Sequence, residues 1–322
     1  MRALLIGFGL VMSVMAGTTT VYSQGFPNKL IRIIVPFTPG GSNDVVGREI
    51  ASGLQERFNQ TAVVENKPGG GGTIAYQYVA KSAPDGYTLM IAPASFTMGP
   101  HLSRNPVYNP IKEFAPVILV ADVPFVLVVP SSLPVHSLKE LIDLAKTSQN
   151  KLSFGSVGVG TPQHLGGELF KISAGVDMVH VPFRGAIAAI PDLLAGRIDV
   201  FIGAINSLLP LIKEGKLRAI AMAGKTRVPS LPDVPTIAEL AFPDYELGSA
   251  VGLVAPAGTP PDVVETLNRE VGKIIATQGF RERMQKIGLD VVGSTPAAYA
   301  KFLSDDYNKW AKVVAAAGLK PQ

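Results

Sequence analysis

The feature that most constrains this fold is an apolar run that stops at proline and glycine and then resumes with helical spacing. Residues 30–35 are typical of a buried strand, and apolar residues between Val45 and Phe58 recur at the period of a helix. A helix start presents N–H groups without intrahelical partners at the positive end of the helix dipole. The junction is therefore suited to hold an anion, and its loop offers short polar side chains and bare backbone in Thr38, Gly40, Gly41, Ser42 and Asn43.

Strand-like and helix-like segments alternate along the rest of the chain, which predicts an α/β fold with largely parallel sheets. The first series comprises strand 30–36, helix 43–58, strand 61–65, helix 73–82 and strand 87–92. The second comprises strands 125–129, 151–155, 177–181 and 198–202, separated by helices 137–147, 162–174 and 185–195. A returning strand 246–255 and helices 261–276, 279–287 and 296–316 close the chain. The apolar stretch 117–129 is predicted to form two consecutive buried strands, because Asp122 and Pro124 interrupt it.

Residues 1–23 have the features of an export signal. Arg2 precedes an apolar stretch, and small residues stand before the predicted cleavage site after Ser23. An uncleaved membrane anchor is the alternative, but the apolar stretch is shorter than a membrane span. The chain has no cysteine, so it can carry neither a disulfide nor a lipid-modified N-terminal cysteine. These features predict a free soluble protein in an exported compartment.

Charge and motif spacing argue against several functional classes. The net charge is only +4 and no run of Lys and Arg occurs, which argues against nucleic-acid binding. The glycine-rich segment 67–73 lacks the Gly-Lys-Ser/Thr ending of a phosphate loop and is predicted as a turn into a helix. Ser156 lacks the glycine that precedes the serine of a nucleophile elbow, and the histidines show no metal-ligand spacing: His101, His136, His164 and His180.

These exclusions predict a protein that recognises a ligand without transforming it. No catalytic set, resident metal or cofactor is expected. An unrecognised periplasmic hydrolase stays open as an alternative, because function is argued from sites and an unfamiliar site can escape notice.

Short sequence blocks that occur in order through nearly the whole mature chain resemble one family. The blocks are residues 35–41 with Asp44 and Arg48, then 66–71, 84–89, 158–169, 181–186, 215–219 and 231–236. They are similar to the Bug-type receptors, which are the extracytoplasmic solute-binding proteins of tripartite tricarboxylate transporters. The resemblance implies a periplasmic-binding-protein fold of type II, the Venus-flytrap fold, whose two lobes each contain a mainly parallel sheet flanked by helices.

The resemblance also implies where the chain divides. Lobe 1 would comprise residues 24–122 plus 248–322, and lobe 2 would comprise residues 123–247, with the ligand cleft between them. The chain would cross the hinge near Asp122-Val123-Pro124 and again near Glu246-Leu247-Gly248. Such receptors close on a small solute.

Site residues are carried over from the family onto the matching positions of this chain. Receptors of this kind hold a carboxylate with loop amides and hydroxyls, partly through water. The first lobe would contribute Phe37, Thr38, Gly41, Ser42, Asn43 and Asp44. The second would contribute Ser156, Gly158 and Thr161 from one junction, and Phe183, Gly185 and Ala186 from another.

Several of these residues have an alternative interpretation. Thr161 is equally suited to cap a helix, and Phe37 and Phe183 could belong to the core. Asp44 could be stabilised by the helix dipole alone or could face a ligand ammonium group. His164 is interpreted as structural, and the partner of Arg184 is left open.

The function implied by the resemblance is capture of a small carboxylate-bearing metabolite for a tripartite tricarboxylate-type transporter. Dicarboxylates, tricarboxylates, acidic amino acids and aromatic acids are all candidate ligands. The expected partners are integral-membrane transporter subunits, contacted transiently by a monomeric receptor. A periplasmic ligand sensor that acts on the ectodomain of a signalling partner is the alternative.

Overall fold

The computed structural model describes residues 25–183, 185–319 and 321, and of Ile187 and Ser249 it describes only the backbone. The predicted export signal, its cleavage site at Ser23 and the side chain of Arg184 lie outside the described residues.

The described chain alternates between strands and helices, as its hydrophobic pattern predicts. The strands are β1 (Ile31–Val35), β2 (Ala62–Asn66), β3 (Thr88–Ala92), β4 (Phe114–Pro130), β5 (Ser153–Ser156), β6 (Val179–Pro182), β7 (Val200–Ala204), β8 (Leu217–Met222), β9 (Gly248–Pro256) and β10 (Asp290–Val291). The helices are α1 (Ser42–Phe58), α2 (Thr73–Ala80), α3 (Ser95–Met98), α4 (Leu138–Thr147), α5 (Pro162–Ala174), α6 (Ala186–Leu194), α7 (Ile205–Lys213), α8 (Ile237–Leu240), α9 (Pro261–Ile275), α10 (Gln278–Lys286) and α11 (Pro296–Ala316).

The strands form one path in the order β2-β1-β3-β9-β4-β7-β5-β6, and β8 and β10 also pair with β4. The outer strands are parallel: β1 pairs with β2 and β3 in one half, and β5 pairs with β6 and β7 in the other. The central pairings of β4 and β9 are antiparallel. Each half is therefore parallel at its outer strands, where the strand–helix junctions lie, and mixed at its centre.

The apolar stretch around Asp122 and Pro124 is one strand, so the prediction of two consecutive strands is wrong. β4 continues from Phe114 to Pro130, with irregular register near Val117 and Val120. On one edge β10 pairs as far as Asp122 and β7 begins at Phe125, so Pro124 lies where that edge has no partner. A proline is tolerated in a strand at such a gap, because its missing N–H removes no ladder hydrogen bond.

The two expected hinge crossings lie side by side in the sheet. Pro124 of β4 is the register partner of Gly248, the first residue of β9. Before this point β4 pairs with β9, and beyond it β4 pairs with β7 and β8. We call the part of the sheet with β1, β2, β3 and β9 the first half, and the part with β5, β6, β7 and β8 the second half.

Apolar residues on both faces of the sheet hold the helices in place. The largest buried cluster runs from Ile33 in β1 through Leu127 in β4 to Phe154 in β5, and it includes the fully buried Trp310 of α11. In the second half, the register pairs Ser156 with Pro182 and Gly155 with Phe201, so β5, β6 and β7 end at the same edge. The loops that lead into α5, α6 and α7 therefore lie close together.

Among the described residues, none of the helices combines the length and the apolar composition that crossing a membrane requires.

Candidate functional site

The loop before α1 is held by a buried carboxylate. One oxygen of Asp44, Oδ2, accepts hydrogen bonds from the Gly40 N–H and from Arg48 Nε, each at 2.9 Å. The other oxygen, Oδ1, accepts from Asn66 Nδ2 at 2.9 Å, and the same amide nitrogen lies 3.0 Å from the Phe37 carbonyl oxygen. Asp44 is only 3% exposed. Asp44, which the sequence predicts as a ligand contact, therefore forms its hydrogen bonds within the loop region and positions the loop backbone.

Hydrogen bonding keeps Asp44 ionised. Burial alone would raise the pKa of Asp44, but hydrogen bonds from Arg48, the Gly40 N–H and Asn66 outweigh burial and lower the pKa to about 2. The Asp44 carboxylate also lies in the first turn of α1, where the helix dipole favours a negative charge.

The loop between β5 and α5 is closed by its own hydroxyl groups. Thr161 Oγ1 donates to the Gly158 carbonyl oxygen at 2.7 Å, so it does not cap the helix. Ser156 Oγ contacts both the N–H and the carbonyl oxygen of Gly158 at 3.1 Å, and it lies 2.6 Å from His180 Nε2. Ser156 is fully buried. Its hydroxyl, like the Asp44 carboxylate, therefore forms hydrogen bonds that hold the loop.

Two stacked histidines support this loop from behind. The rings of His164 and His180 lie 4.0 Å apart, and His164 Nδ1 accepts a hydrogen bond from the Gly160 N–H at 3.2 Å. Burial, reinforced by Lys171, lowers the pKa of His164 to about 4. Burial and the neighbouring His164 lower the pKa of His180 to about 4. Both imidazoles are therefore neutral at physiological pH, which is compatible with the structural interpretation of His164.

Acid is expected to destabilise the protein through this pair. Because the unfolded state protonates histidine near pH 6.5 and the folded state only near pH 4, the unfolded state binds more protons between these values. The free energy of unfolding should fall by at least about 1 kcal/mol from pH 7 to pH 4.5. Urea unfolding of His164→Gln should show a shallower pH dependence, whereas the exposed His136→Gln should match the parent. Equal pH dependence in His164→Gln and the parent would refute this role.

The helices that follow β1, β5, β6 and β7 begin without a side-chain cap among the described residues. α1, α5, α6 and α7 share this feature with α2, α3 and α9, whereas Ser137, Thr236, Thr277 and Thr295 cap the remaining helices. The first turn of α1 offers the N–H groups of Ser42 and Asn43, and α5 offers those of Gln163 and His164 because Pro162 has none. Uncapped helix starts of this length bind carboxylates readily.

The two halves meet at a residue that sequence reasoning missed. Asn206 Nδ2, near the start of α7, donates to Ser42 Oγ at the start of α1, over 2.7 Å. A second close approach between the halves joins Gly160 and Leu102, because a Cβ placed on Gly160 would lie 2.9 Å from Leu102 Cδ1. Asn206 follows the end of β7, so the signal that would identify it is the same strand–helix junction that identified Ser42. The helix that would complete this junction, α7, is not among the helices predicted from the sequence.

The remaining predicted contact residues lie in the loops before α1 and α6 and at the start of α6. Thr38 and Gly41 are exposed on the first loop, and Phe37 is half-buried. The Phe183 N–H donates to the Ser156 carbonyl oxygen at 2.9 Å, which joins the β6–α6 loop to the β5–α5 loop. Gly185 precedes α6 with a positive φ of 145°, and Ala186 is the first residue of that helix. The structure thus groups the predicted residues in two sets, one on each half.

Two buried acceptor atoms at these helix starts have no partner among the described residues. They are Asn43 Oδ1 in the first turn of α1 and Gln163 Oε1 in the first turn of α5. A buried carbonyl oxygen without a donor costs about 1 to 3 kcal/mol, so a ligand or water that donates to it would be stabilised there.

The described residues contain no cluster of three or more His, Cys, Asp or Glu side chains that could hold a metal ion.

Comparison with known proteins identifies what this arrangement resembles. Residues 46–319 match the family model described as the tripartite tricarboxylate transporter family receptor. Protein BugT of Bordetella pertussis is 34% identical over 322 residues, which covers 99% of each chain.

Two solved structures from Rhodopseudomonas palustris are similar over their whole length. Rpa4515 with adipate is 35% identical, has a TM-score of 0.83, and is matched over 92% of this chain and 100% of its own. MatC with bound malate is 31% identical, has a TM-score of 0.78, and is matched over 90% of this chain and 100% of its own.

Proposed function

The chain belongs to the family of tripartite tricarboxylate transporter receptors, and from this premise we propose that it captures a small organic acid for a transporter of that kind. The family assignment predicted from the sequence blocks is confirmed, and so is the α/β fold of the periplasmic-binding-protein type. Because the family consists of solute receptors and not of enzymes, the prediction of a non-catalytic protein is confirmed as well.

The observation that carries the proposal is the pair of uncapped helix starts at the cleft. α1 and α5 belong to different halves, and both leave first-turn N–H groups unpartnered by side chains. An acid with two carboxylates can engage both starts at once. Hydrogen bonds to charged groups contribute about 1.5 to 3 kcal/mol each, so a few of them support micromolar-class binding after the cost of association.

The side-chain oxygens of Asn43 and Gln163, which have no hydrogen-bond donor among the described residues, favour a ligand that carries a donor group. Both atoms need a donor, which a plain dicarboxylate lacks at neutral pH. A hydroxyl or ammonium group beside the carboxylates would supply it. We therefore favour a hydroxy or amino dicarboxylic acid over an unsubstituted one, among the acids bound by relatives such as the adipate and malate proteins.

Capture would involve closing of two lobes. The proposed lobes, residues 24–122 plus 248–322 and residues 123–247, meet where Pro124 pairs with Gly248, and a hinge there needs only two adjacent strands to bend. Closing would bring the first-half loop with Ser42 against the second-half loops that follow β5, β6 and β7.

Location and partner follow from the same premise. An export signal at residues 1–23, cleaved near Ser23, would place the receptor in the periplasm as a monomer that meets transporter subunits transiently. A sensor ectodomain is the second candidate partner, and it would require the same loaded receptor.

Calorimetric titration with a panel of acids tests the proposal. Malate and succinate form a matched pair that differs by one hydroxyl, and adipate adds chain length. We expect binding of at least one acid, with malate about three- to tenfold tighter than succinate because its hydroxyl can donate to an orphaned oxygen. Binding of a neutral solute together with no binding of any acid would refute carboxylate capture, and equal affinity for malate and succinate would refute the donor requirement.

A further inference from the structure

The hydrogen bond between Asn206 and Ser42 connects the two halves at the mouth of the candidate site. Ser42 is the first residue of α1 and Asn206 the second residue of α7, and 164 positions separate them in the chain. At 2.7 Å, the contact is as short as a good amide–hydroxyl hydrogen bond. Asn206 Oδ1 in turn accepts from the Ser207 hydroxyl at 3.4 Å. The Asn206 amide is therefore oriented with its N–H group toward the first half.

A second segment of the first half supports the start of α7 from another side. Gly288 lies just after α10 with φ of +71°, and a Cβ placed on it would come within 3.2 Å of the Asn206 Cα and 3.0 Å of Ile205 Cγ2. Only glycine combines this backbone conformation with so close an approach. The residue pair Ile205 and Asn206 is thus held between Gly288 and Ser42.

The contact also determines what the Ser42 hydroxyl can do. Its oxygen accepts from Asn206, so its own proton must be donated elsewhere. No acceptor for this proton occurs among the described residues, although Ser42 stands at the uncapped start of α1. A carboxylate bound to the first-turn N–H groups would lie within reach of the proton. Hydrogen bonds in such a chain strengthen one another, since each polarises the next.

We propose that Asn206 is a positioning residue that couples cleft closure to acid binding, by fixing the Ser42 hydroxyl as an acceptor from α7 and a donor to the acid. The inference rests on the proposed function, because it names a device within the same site. It assigns Asn206 no contact with the acid. It predicts instead that the effect of Asn206 on affinity passes through Ser42.

A double-mutant cycle with malate and adipate as probes tests this coupling. Asn206→Ala should weaken the binding of the acid that the parent binds by about tenfold, which corresponds to the loss of one partly buried hydrogen bond. In a Ser42→Ala background the same substitution should cause almost no further loss. Equal losses in both backgrounds, or no loss in the parent background, would overturn the proposal.

Replacement of Asn206 by aspartate changes the direction of its hydrogen bond to Ser42 while the size of the side chain stays the same. Asn206→Asp keeps the shape of the side chain but cannot donate, so the Ser42 hydroxyl would turn toward the new carboxylate and lose its donor role. It should bind the acid more weakly than Asn206→Ala. The matched control is Asn308→Asp, which makes the same change on an exposed position of α11 and should bind like the parent. Weakening by the control, or tighter binding by Asn206→Asp than by Asn206→Ala, would contradict the proposed direction.

A measurement on the ligand-free protein tests the role of Asn206 in closure independently of the proposed capture of an acid. Since the chain has no cysteine, Lys81→Cys and Asn150→Cys provide two exposed labelling positions, one on each half, for fluorescence energy transfer. The Asn206–Ser42 hydrogen bond needs no ligand, so Asn206→Ala should shift ligand-free molecules toward the open form. An unchanged distribution of label distances would contradict the proposed role of this hydrogen bond in closure. Failure of the parent to bind any acid would refute the proposed function. The ligand-free fluorescence measurement would still test whether Asn206 stabilises the closed form.

Discussion

Ser42→Asp is expected to weaken acid binding by at least about a hundredfold, since two unit charges about 4 Å apart in a partly enclosed site repel by several kcal/mol. The Ser42 hydroxyl lies at the uncapped start of α1, so a carboxylate there would occupy the place proposed for the ligand. Asn206 could still donate to the new side chain, and the fold should persist. Calorimetric titration with the acid that the parent binds measures the effect.

The matched control for this substitution is Ser52→Asp. Ser52 lies exposed on the same helix, away from its N-terminus, so the control makes the same change of charge outside the site. We expect its affinity to equal that of the parent. If Ser42→Asp folds normally and binds the acid as tightly as the parent, the carboxylate-binding site is not at the start of α1.

Asp44→Asn is expected to lower the free energy of unfolding by about 2 to 4 kcal/mol, because it replaces a buried carboxylate that accepts hydrogen bonds from three donors of the loop. The carboxylate accepts from Gly40, Arg48 and Asn66, and an amide would turn an NH₂ group toward at least one of these donors. The loop before α1 should loosen, so acid affinity should fall together with stability. Urea unfolding at pH 7 measures the first effect.

The pH dependence of stability distinguishes Asp44 from a surface carboxylate. Its folded-state pKa of about 2 lies below the ordinary value of 3.8, so its contribution is fully present above pH 3.8 and is lost as the pH falls through 2. Asp44→Asn should lack this contribution. The control is Asp143→Asn, which removes an exposed ion pair with Lys139 and should change stability by less than about 0.5 kcal/mol. A loss for Asp44→Asn no larger than that of the control would refute the loop-holding role.

The sequence predicts most of the elements because their apolar periodicity is strong. α1, α5 and α9 agree with their predicted ranges to within a residue at each end, since apolar spacing and glycine or proline signals coincide there. α7 and β8 were not predicted, and Pro210 inside α7 interrupts the pattern that a helix would show. The continuity of β4 depends on which strands lie beside Pro124, and that information is not local in the sequence.

The candidate site was predictable at the level of loops but not of side-chain roles. Short polar residues beside glycine at a strand–helix junction indicate an anion-binding site, and both predicted loops lie at such junctions. Whether a given side chain faces the cleft or the loop depends on partners far along the chain: Asn66 for Asp44, His180 for Ser156, and Asn206 for Ser42. Sequence spacing carries no information about such pairs.

The arrangement assigns different roles to the backbone and to the side chains. Backbone N–H groups at the starts of α1 and α5 supply the attraction for an anion, whereas Asp44, Thr161 and His164 fix the loops that present them. An acid would thus be held without a ligand-facing cation among these residues. Exchange of the exposed loop residues, such as Thr38, could then alter ligand choice while the holding residues stay in place.

The most direct test of the central claim is a crystal structure of the complex with the acid that binds most tightly in the calorimetric panel. We predict one carboxylate within hydrogen-bond distance of the Ser42 and Asn43 N–H groups, and a second polar group of the acid facing the Gly158–Gln163 segment of the other half. The Ser42 hydroxyl should bridge the acid and Asn206. An acid bound elsewhere, for example in the groove between α4 and β8, or bound at the cleft without contact to the start of α1, would contradict the account.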